Sequence, residues 1–227
     1  MSENILTVKD LKTYFYTASG IAKAVDGVSF NIAKGETMGI VGESGSGKSV
    51  TSSSIIRLLP PRTGKIVGGS IEFEGKDVLA LSKKELNDFR GKDIAVIFQD
   101  PMTSLDPVFK IGKQMTEMIM AHQNVTKDEA WKMSVEALSK VGIPEPEKRM
   151  NSYPYELSGG MCQRVIIAMA VCCKPKLIIA DECISALDMS IQAQVVNLMK
   201  DIQDETGLAY LFIAHDLSVM RYISDRI

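Results

Sequence analysis

Apolar positions follow two different periods along this chain. Short apolar runs over Thr37–Val41, residues 93–98 and residues 176–181 have the length of buried strands. They are interleaved with segments in which apolar residues recur at helical spacing, for example Ile191, Val195, Leu198 and Ile202. This alternation predicts an α/β fold in which helices cover a mainly parallel sheet.

The spacing of apolar positions changes in the middle of the chain. Residues 70–73 alternate as a strand before a break at Gly75, whereas from about residue 108 to residue 150 the apolar positions take a helical period. Ser82 and Thr126 are each followed three residues later by glutamate, the capping-box spacing that predicts the start of a helix. We therefore predict a helical subdomain inserted into the α/β core.

Composition restricts the class of protein. The 227 residues are 45% hydrophobic and 24% charged, with a formal net charge of -2, which is typical of a globular chain and gives no strong field for nucleic acid. No run approaches the ~18 apolar residues that span a bilayer, and the N-terminus lacks the pattern of a signal peptide. We expect a chain that stays in the cytoplasm and reaches a membrane only through a partner.

The cysteines fall within one short stretch and include no C-x-x-C pair. This spacing favours buried or half-buried free thiols over a zinc site or a disulfide framework. They are Cys162, Cys172, Cys173 and Cys183.

A glycine-rich loop lies between the predicted strand Thr37–Val41 and a predicted helix over residues 49–59. It meets the pattern G-x-x-x-x-G-K-[ST], in which glycines let successive backbone N–H groups turn inward around phosphate oxygens. The lysine of the pattern reaches the β- and γ-phosphates, and the last hydroxyl ligates Mg²⁺. An ordinary Gly/Ser-rich turn is the alternative, which the position between strand and helix disfavours. The residues are Gly42, Glu43, Ser44, Gly45, Ser46, Gly47, Lys48 and Ser49.

An acidic pair ends the apolar run over residues 176–181, where a loop of this kind needs a second magnesium ligand. Asp181 is predicted to hold Mg²⁺, and Glu182 is placed to orient or deprotonate the attacking water. An Asp-Glu pair by itself is more typical of a solvated strand end. The glycine-rich loop earlier in the chain reverses that preference.

Residues 157–164 read Leu-Ser-Gly-Gly-Met-Cys-Gln-Arg, and this segment resembles the signature motif of the ABC ATPases. In that family, serine and glycine amides at this helix N-terminus contact the γ-phosphate of ATP bound by the opposite subunit. A helix N-terminus suits that contact, since its unpaired N–H groups and its dipole favour an anion. The resemblance therefore implies nucleotide contacts by Ser158, Gly159 and Gly160.

Three more positions resemble family motifs in the family's order. Gln99 resembles the Q-loop glutamine, which implies contact with Mg²⁺ and with a transmembrane partner. Asp188 resembles the D-loop aspartate that works across a dimer interface, and His215 resembles the switch histidine that hydrogen-bonds the γ-phosphate. The resemblance thus implies a catalytic set of Lys48, Gln99, Glu182 and His215, and a magnesium set of Ser49, Gln99 and Asp181.

In this family, an aromatic side chain of the first strand stacks on the adenine ring, and the resemblance implies such a residue here. Phe15 fits the family register best among the three aromatic residues at positions 14–16. Because side chains alternate across a strand, Tyr14 and Tyr16 are expected on the face opposite Phe15. Core packing remains an alternative for each ring.

The resemblance covers essentially the whole chain, and residues 98–107 look like the Q-loop segment of the oligopeptide, dipeptide and nickel importers. It implies a P-loop NTPase fold of the ABC ATPase type. The nucleotide-binding core, RecA-like with an N-terminal antiparallel β subdomain, is expected over residues 1–107 and 175–227, and the helical subdomain over residues 108–174. Because relatives continue beyond the last residue, a truncated or naturally short form is expected.

The implied function is an ATP-hydrolysing subunit that powers peptide uptake from the cytoplasmic face of the membrane, with ATP and Mg²⁺ as cofactors. The implied partners are a second ATP-binding subunit of the same or another kind, permease subunits and, indirectly, an extracellular solute-binding protein. No nucleic acid is implied.

Three alternatives stay open. One is import of nickel or another solute, and one is a soluble ABC ATPase of DNA repair or translation, although such proteins carry coiled coils, zinc modules or two cassettes. The third is an ATP-binding regulator without turnover. It is favoured by two departures from the family pattern: Cys162 stands where arginine is usual, and Cys183 stands where proline is usual beside Glu182.

Overall fold

The computed structural model describes residues 3–227 and arranges their strands in two four-stranded sheets. The antiparallel sheet is built from strands β1 (Asn4–Thr17), β2 (Gly20–Ala33), β4 (Gly64–Phe73) and β5 (Lys76–Asp77), in the order β2-β1-β4-β5. The parallel sheet is built from β3 (Thr37–Val41), β6 (Ile94–Ile97), β7 (Leu177–Asp181) and β8 (Ala209–Ala214), in the order β3-β8-β7-β6.

Some helices pack on the parallel sheet, and others pack mainly on one another. In chain order they are α1 (Lys48–Ile55), α2 (Lys83–Asp88), α3 (Pro101–Ser104), α4 (Ile111–His122), α5 (Lys127–Lys140), α6 (Pro146–Arg149), α7 (Gly159–Cys172), α8 (Met189–Thr206) and α9 (Leu217–Ile223). The predicted capping boxes at Ser82 and Thr126 are confirmed, and they start α2 and α5. Helices α4, α5 and α7 pack on one another in the predicted helical region.

Strand β7 shows why the parallel sheet reads as continuous apolar runs. Its five residues are all buried, and successive side chains point to opposite faces of the sheet. Leu177 and Ile179 belong to a core shared with the antiparallel sheet, whereas Ile178 and Ala180 belong to a core shared with α7 and α8. Both faces of the strand are thus covered, which explains the absence of alternation in the sequence.

The helix predicted over residues 49–59 is shorter than expected. Helix α1 ends at Ile55, and Arg57 takes a left-handed conformation with φ 53°. Arg90, from the irregular segment after α2, donates hydrogen bonds of 2.7 and 2.6 Å to the carbonyl oxygens of Ile56 and Arg57. These long-range bonds satisfy carbonyls that a continuing helix would use, so the helix ends before the prolines at 60 and 61.

The end of the chain lies against the outer edge of β3. The backbone N–H of Gly39 donates to the carbonyl oxygen of Arg226 at 2.7 Å, and the N–H of Thr37 donates to a carboxylate oxygen of Asp225 at 2.8 Å. Arg226 also forms an ion pair of 2.9 Å with Glu36.

None of the helices described here is long and apolar enough to cross a membrane.

All four cysteines are free thiols. Cys162, Cys172 and Cys183 are buried, and Cys173 is half-buried. Burial raises the pKa of Cys183 to about 12, so this thiol stays protonated at neutral pH.

Candidate functional site

The glycine-rich loop joins β3 to α1 and depends on two glycines. Gly47 has φ 92°, a conformation that favours glycine, and a Cβ at this position would collide with the carbonyl oxygen of Ala24 in β2. A Cβ on Gly42 would lie 2.9 Å from Oγ of Ser46. The loop is therefore a tight turn with no room for a side chain at Gly47, and Ser46 would have to shift for a side chain at Gly42.

The side chain of Lys48 folds back over this loop. Its ammonium donates to the carbonyl oxygens of Gly42 and Glu43 at 2.6 and 2.8 Å, and it lies 3.8 Å from Oε1 of Glu182. The side chain is only 6% exposed. A buried cation held at the mouth of the loop is suited to bind a phosphate group.

Two serines of α1 hold the carboxylate of Asp181 at the end of β7. Ser49 donates its hydroxyl to Oδ1 at 3.0 Å, and Ser52 donates to Oδ2 at 2.9 Å. Within residues 3–227, Asp181 forms no ion pair with a lysine, arginine or histidine. A largely buried carboxylate next to a serine hydroxyl, with no basic group of the described residues in ion-pair contact, is a donor set that Mg²⁺ prefers, so the residues fit the predicted metal.

Glu182 occupies a strained position directly after Asp181. Its φ is 50°, which is uncommon for a residue with a side chain and is a form of strain found at functional sites. Its N–H donates to the carbonyl oxygen of Ile213 in β8 at 2.9 Å, and its own carbonyl accepts the hydroxyl of Ser185 at 2.8 Å. These two bonds hold the backbone while the carboxylate, 20% exposed, points toward Lys48.

The carboxyl ends of the parallel strands bring the predicted residues to one edge of the sheet. Val41 pairs with Ala214, and Asp181 pairs with Ile213, so the glycine-rich loop, the acidic pair and His215 leave the sheet side by side. Gln99 follows β6, the neighbour of β7. Both Gln99 and His215 are exposed. Ligands bind at such an edge in open α/β sheets.

The residues of the predicted signature motif lie at the N-terminus of α7. Ser158 caps this helix, and its hydroxyl accepts a hydrogen bond of 3.3 Å from the N–H of Met161. Ser158 and Gly159 are exposed, whereas a Cβ on Gly160 would lie 2.9 Å from Cγ2 of Ile191 in α8. Asp188 is the exposed N-cap residue of that same helix α8. The two predicted interface segments are thus in contact through the starts of α7 and α8.

The aromatic residues of β1 have different surroundings. Phe15 is half-buried, and its Cε1 lies 3.1 Å from the place where a Cβ on Gly64 would stand. Tyr14 donates its hydroxyl to Asp26 at 2.7 Å, and this bond raises the pKa of the phenol. The ring of Tyr16 lies 5.3 Å below the ammonium of Lys65. Both tyrosines therefore have partners of their own.

The position of Phe15 in the hairpin relates it to the glycine-rich loop. It pairs with Ala22 of β2, two residues before Ala24, whose carbonyl oxygen faces Gly47. The assignment of Phe15 to adenine stays a prediction, as do the roles assigned to the other site residues and the division of the chain at residues 108 and 174.

Ser52 is the residue of the site that sequence reasoning missed. The motif pattern ends at Ser49, and no motif singles out one serine among the three at positions 52–54. The available signal was helical geometry: residues three apart share a face of a helix, so Ser52 follows Ser49 toward the same strand end.

Comparison with known proteins gives three kinds of match. The family model described as "ABC transporter" matches residues 25–185. Among curated proteins, the oligopeptide transport ATP-binding protein OppD of Bacillus subtilis is 54% identical over 98% of this chain and 62% of its own length. The dipeptide transport ATP-binding protein DppD of Bacillus subtilis is 49% identical over 99% of this chain and 67% of its own length.

Two solved structures share the whole fold. The dimeric post-hydrolysis state of the ATP-binding cassette MJ0796, bound to ADP and Pi, has a TM-score of 0.83 at 28% identity, over 96% of this chain and 90% of that chain. The structure of cbiO1 from Clostridium perfringens has a TM-score of 0.82 at 27% identity, over 99% of this chain and 83% of that chain. The predicted fold class, with its antiparallel and helical parts, is confirmed. This chain spans only 62% of the length of the Bacillus OppD.

Proposed function

This chain belongs to the ABC transporter family, and from that premise we propose that it binds and hydrolyses ATP to drive the import of peptides through a membrane permease. One observation carries the proposal. Ser49 of the glycine-rich loop is hydrogen-bonded to Asp181, and Lys48 lies beside Glu182, so the two halves of an ATPase site meet in one cluster.

Nucleotide binding follows from the loop and its lysine. The residues from Gly42 to Ser49 would surround the β- and γ-phosphates with backbone N–H groups, and the start of α1 adds its dipole. Lys48 now donates to two loop carbonyls, and a phosphate oxygen is a better acceptor because the bond is then between opposite charges. Phe15 would stack on the adenine ring.

The metal ligands follow from the geometry around Asp181. Ser49, Asp181 and Gln99 would hold Mg²⁺, which when bound neutralises negative charge on the β- and γ-phosphate oxygens. The hydroxyl of Ser49 can hold Asp181 and ligate Mg²⁺ at the same time, since its proton goes to Oδ1 of Asp181 while its oxygen lone pairs stay free.

Hydrolysis needs a water placed in line with the γ-phosphate. Glu182 would orient this water and accept its proton, while the water oxygen forms a bond to the γ-phosphorus and the bond from that phosphorus to the bridging oxygen of ADP breaks. His215 would donate a hydrogen bond to the γ-phosphate. The left-handed backbone at Glu182 holds its carboxylate at the strand end, where the water must stand.

A second ATP-binding subunit completes the site in this proposal. Ser158 and Gly159 are exposed at the N-terminus of a helix of 14 residues. A head-to-tail pair would bring these N–H groups to the γ-phosphate bound by the other subunit, with Asp188 at the interface. The solved cassette MJ0796 is described as dimeric, which supports such a pair.

A permease contact is supported by an apolar cleft of about 360 Å³ beside the predicted Q-loop. Phe98 and Leu58 line it and are 45% and 50% exposed, and Met118, Ile166 and Met169 form its wall. Exposed apolar surface of this kind marks protein interaction sites. A permease segment in this cleft would lie next to Gln99, and it would keep the chain peripheral on the cytoplasmic face of the membrane.

The transported solute is proposed from the relatives, since it never meets this subunit. The names of the relatives OppD and DppD state transport of oligopeptides and of dipeptides, which supports peptides over nickel as the transported solute. Nothing in the described residues favours nucleic acid, and the net charge of -2 disfavours it.

The test combines membranes and transport. Affinity purification of the full-length protein from its host membranes should recover a permease, and proteoliposomes of that complex with its solute-binding protein should import labelled peptides only when ATP is inside. Uptake of nickel but not of peptides would show that peptides are not the transported solute. Recovery of DNA or ribosomes with no permease would show that the chain is not a transporter subunit.

A further inference from the structure

We propose that Ser52 is a positioning residue for magnesium, which acts by fixing the carboxylate of Asp181. This inference rests on the proposed function, in which Asp181 is a magnesium ligand. The finding behind it is a division of the carboxylate between two serines: Ser49 donates to Oδ1 at 3.0 Å, and Ser52 donates to Oδ2 at 2.9 Å. Each oxygen has its own hydroxyl, so the plane of the carboxylate is set.

Burial makes it difficult for water to replace the hydrogen bond that Ser52 donates to Asp181. Ser52 is 3% exposed and Asp181 is 7% exposed, so water has little access to Oδ2. No side-chain cation among the described residues pairs with Asp181, and the hydrogen bonds from hydroxyl groups therefore do the work of orientation. Without Ser52, Oδ2 becomes a buried acceptor without its partner, and the carboxylate gains freedom to turn.

The two serines have different exposure and therefore different tasks. Ser49 is exposed and is the hydroxyl offered to the metal, whereas Ser52 is buried behind it, one helical turn further along α1. The oxygen of Ser52 also lies 2.9 Å from the carbonyl oxygen of Ser49, and a single hydroxyl proton can serve only one acceptor. We assign it to Asp181, because a hydrogen bond to a charged acceptor is the stronger of the two.

Helix α1 offers a matched control in Ser54. Its side chain is fully buried, and its hydroxyl contacts the hydroxyl of Thr13 at 2.8 Å and the carbonyl oxygen of Val50 at 2.6 Å. Ser54 thus has the same chemistry, the same helix and comparable burial, but it does not touch Asp181. Ser54→Ala removes a buried hydroxyl without changing the carboxylate.

The experiment measures how strongly Mg²⁺ improves nucleotide binding. The probe is a fluorescent, non-hydrolysable ATP analogue, mant-AMP-PNP, titrated into the full-length protein once with EDTA and once with Mg²⁺. The ratio of the two dissociation constants is the magnesium gain. Ser52→Ala should lower this gain roughly tenfold, the size of effect seen when a residue that supports a metal ligand is removed, and should leave the constant in EDTA unchanged.

The control and a second variant make the result decisive. Ser54→Ala should keep the wild-type gain. Ser52→Cys keeps nearly the same shape but donates only weakly, so it should lose gain as Ser52→Ala does, and it replaces that variant if the alanine protein does not fold.

Two outcomes would overturn the role of Ser52: a wild-type gain in both Ser52 variants, or equal weakening in EDTA and in Mg²⁺, which would mean a distorted loop. The variant Asp181→Asn separates this inference from its premise. If Asp181→Asn keeps the full gain, the magnesium site of the proposed function is wrong. If Asp181→Asn loses the gain and the Ser52 variants keep it, only the inference about Ser52 fails.

Discussion

The ammonium of Lys48 lies 3.8 Å from Oε1 of Glu182, at the point where the glycine-rich loop meets the end of β7. The same ammonium donates to the carbonyl oxygens of Gly42 and Glu43. Lys48 therefore connects the loop that would bind phosphate to the carboxylate that would act on water. In the proposed function, this contact would place both groups next to the γ-phosphate, which is a form of preorganisation.

The first prediction concerns Glu182. Glu182→Gln keeps the size of the side chain and removes its capacity to accept a proton, so ATP binding should persist while the hydrolysis rate falls by about 10²-fold or more. Nucleotide titration and a steady-state phosphate-release assay measure the two quantities. Normal turnover in this variant would show that another group activates the water.

The second prediction concerns the turn at Gly47. Gly47→Ala places a Cβ against the carbonyl oxygen of Ala24 and imposes φ 92° on a residue with a side chain. We expect a loss of more than about 2 kcal/mol in the free energy of unfolding and loss of ATP binding. Denaturant unfolding and nucleotide titration measure both.

Gly45→Ala is the matched control for this stability measurement. Gly45 has a similar φ of 83°, but a Cβ there meets no atom within 4 Å. Only the backbone strain remains, which is about 1 kcal/mol. Equal destabilisation of the two variants would mean that the contact with Ala24 is unimportant.

The third prediction orders the cysteines by reactivity. The neighbouring side chain of Cys172 lowers the pKa of Cys173, while burial raises the pKa of Cys183 to about 12. The thiolate is the reactive form, and its fraction rises with pH and is larger at a given pH when the pKa is lower. Iodoacetamide should therefore label Cys173 first in the folded protein, faster as pH rises from 6 to about 8. Peptide mapping by mass spectrometry reads the order, and early labelling of Cys183 would contradict the buried position.

The fourth prediction concerns the apolar cleft. Phe98→Ala should weaken capture of the permease at least about tenfold, since truncated aromatic anchors often cost more than 1.4 kcal/mol. ATP binding by the isolated chain should change little. Val67→Ala is the control: Val67 is 43% exposed, close to the 45% of Phe98, but lies on β4 in the antiparallel sheet. Equal loss of permease in both variants would place the contact elsewhere or reveal misfolding.

The local features of this chain were predictable from the sequence. The glycine-rich loop, the acidic pair and the capping boxes are defined by residues within eight positions of one another, and short-range sterics and hydrogen bonds decide their conformation. Strands β3, β6 and β7 were located within one residue because buried apolar runs between helical segments have few other solutions.

The errors came from contacts between distant segments. The helix over residues 49–59 was predicted too long because Arg90, more than thirty residues further on, binds the carbonyl oxygens that end it. The left-handed backbone of Glu182, for which the sequence made no prediction, is likewise held by a hydrogen bond to Ile213 of the neighbouring strand.

The sequence by itself determined the α/β class, its motifs resembled those of the family that the comparisons then showed, and it predicted the residues that would bind phosphate and metal, because each of these patterns lies within a short segment. Only the tertiary structure decided how they are joined. Ser52 and Asp181 are 129 positions apart, and their hydrogen bond exists because α1 packs on the end of β7. The same packing sets Lys48 beside Glu182, and no local pattern specifies a contact whose two partners are brought together by the burial of the whole sheet.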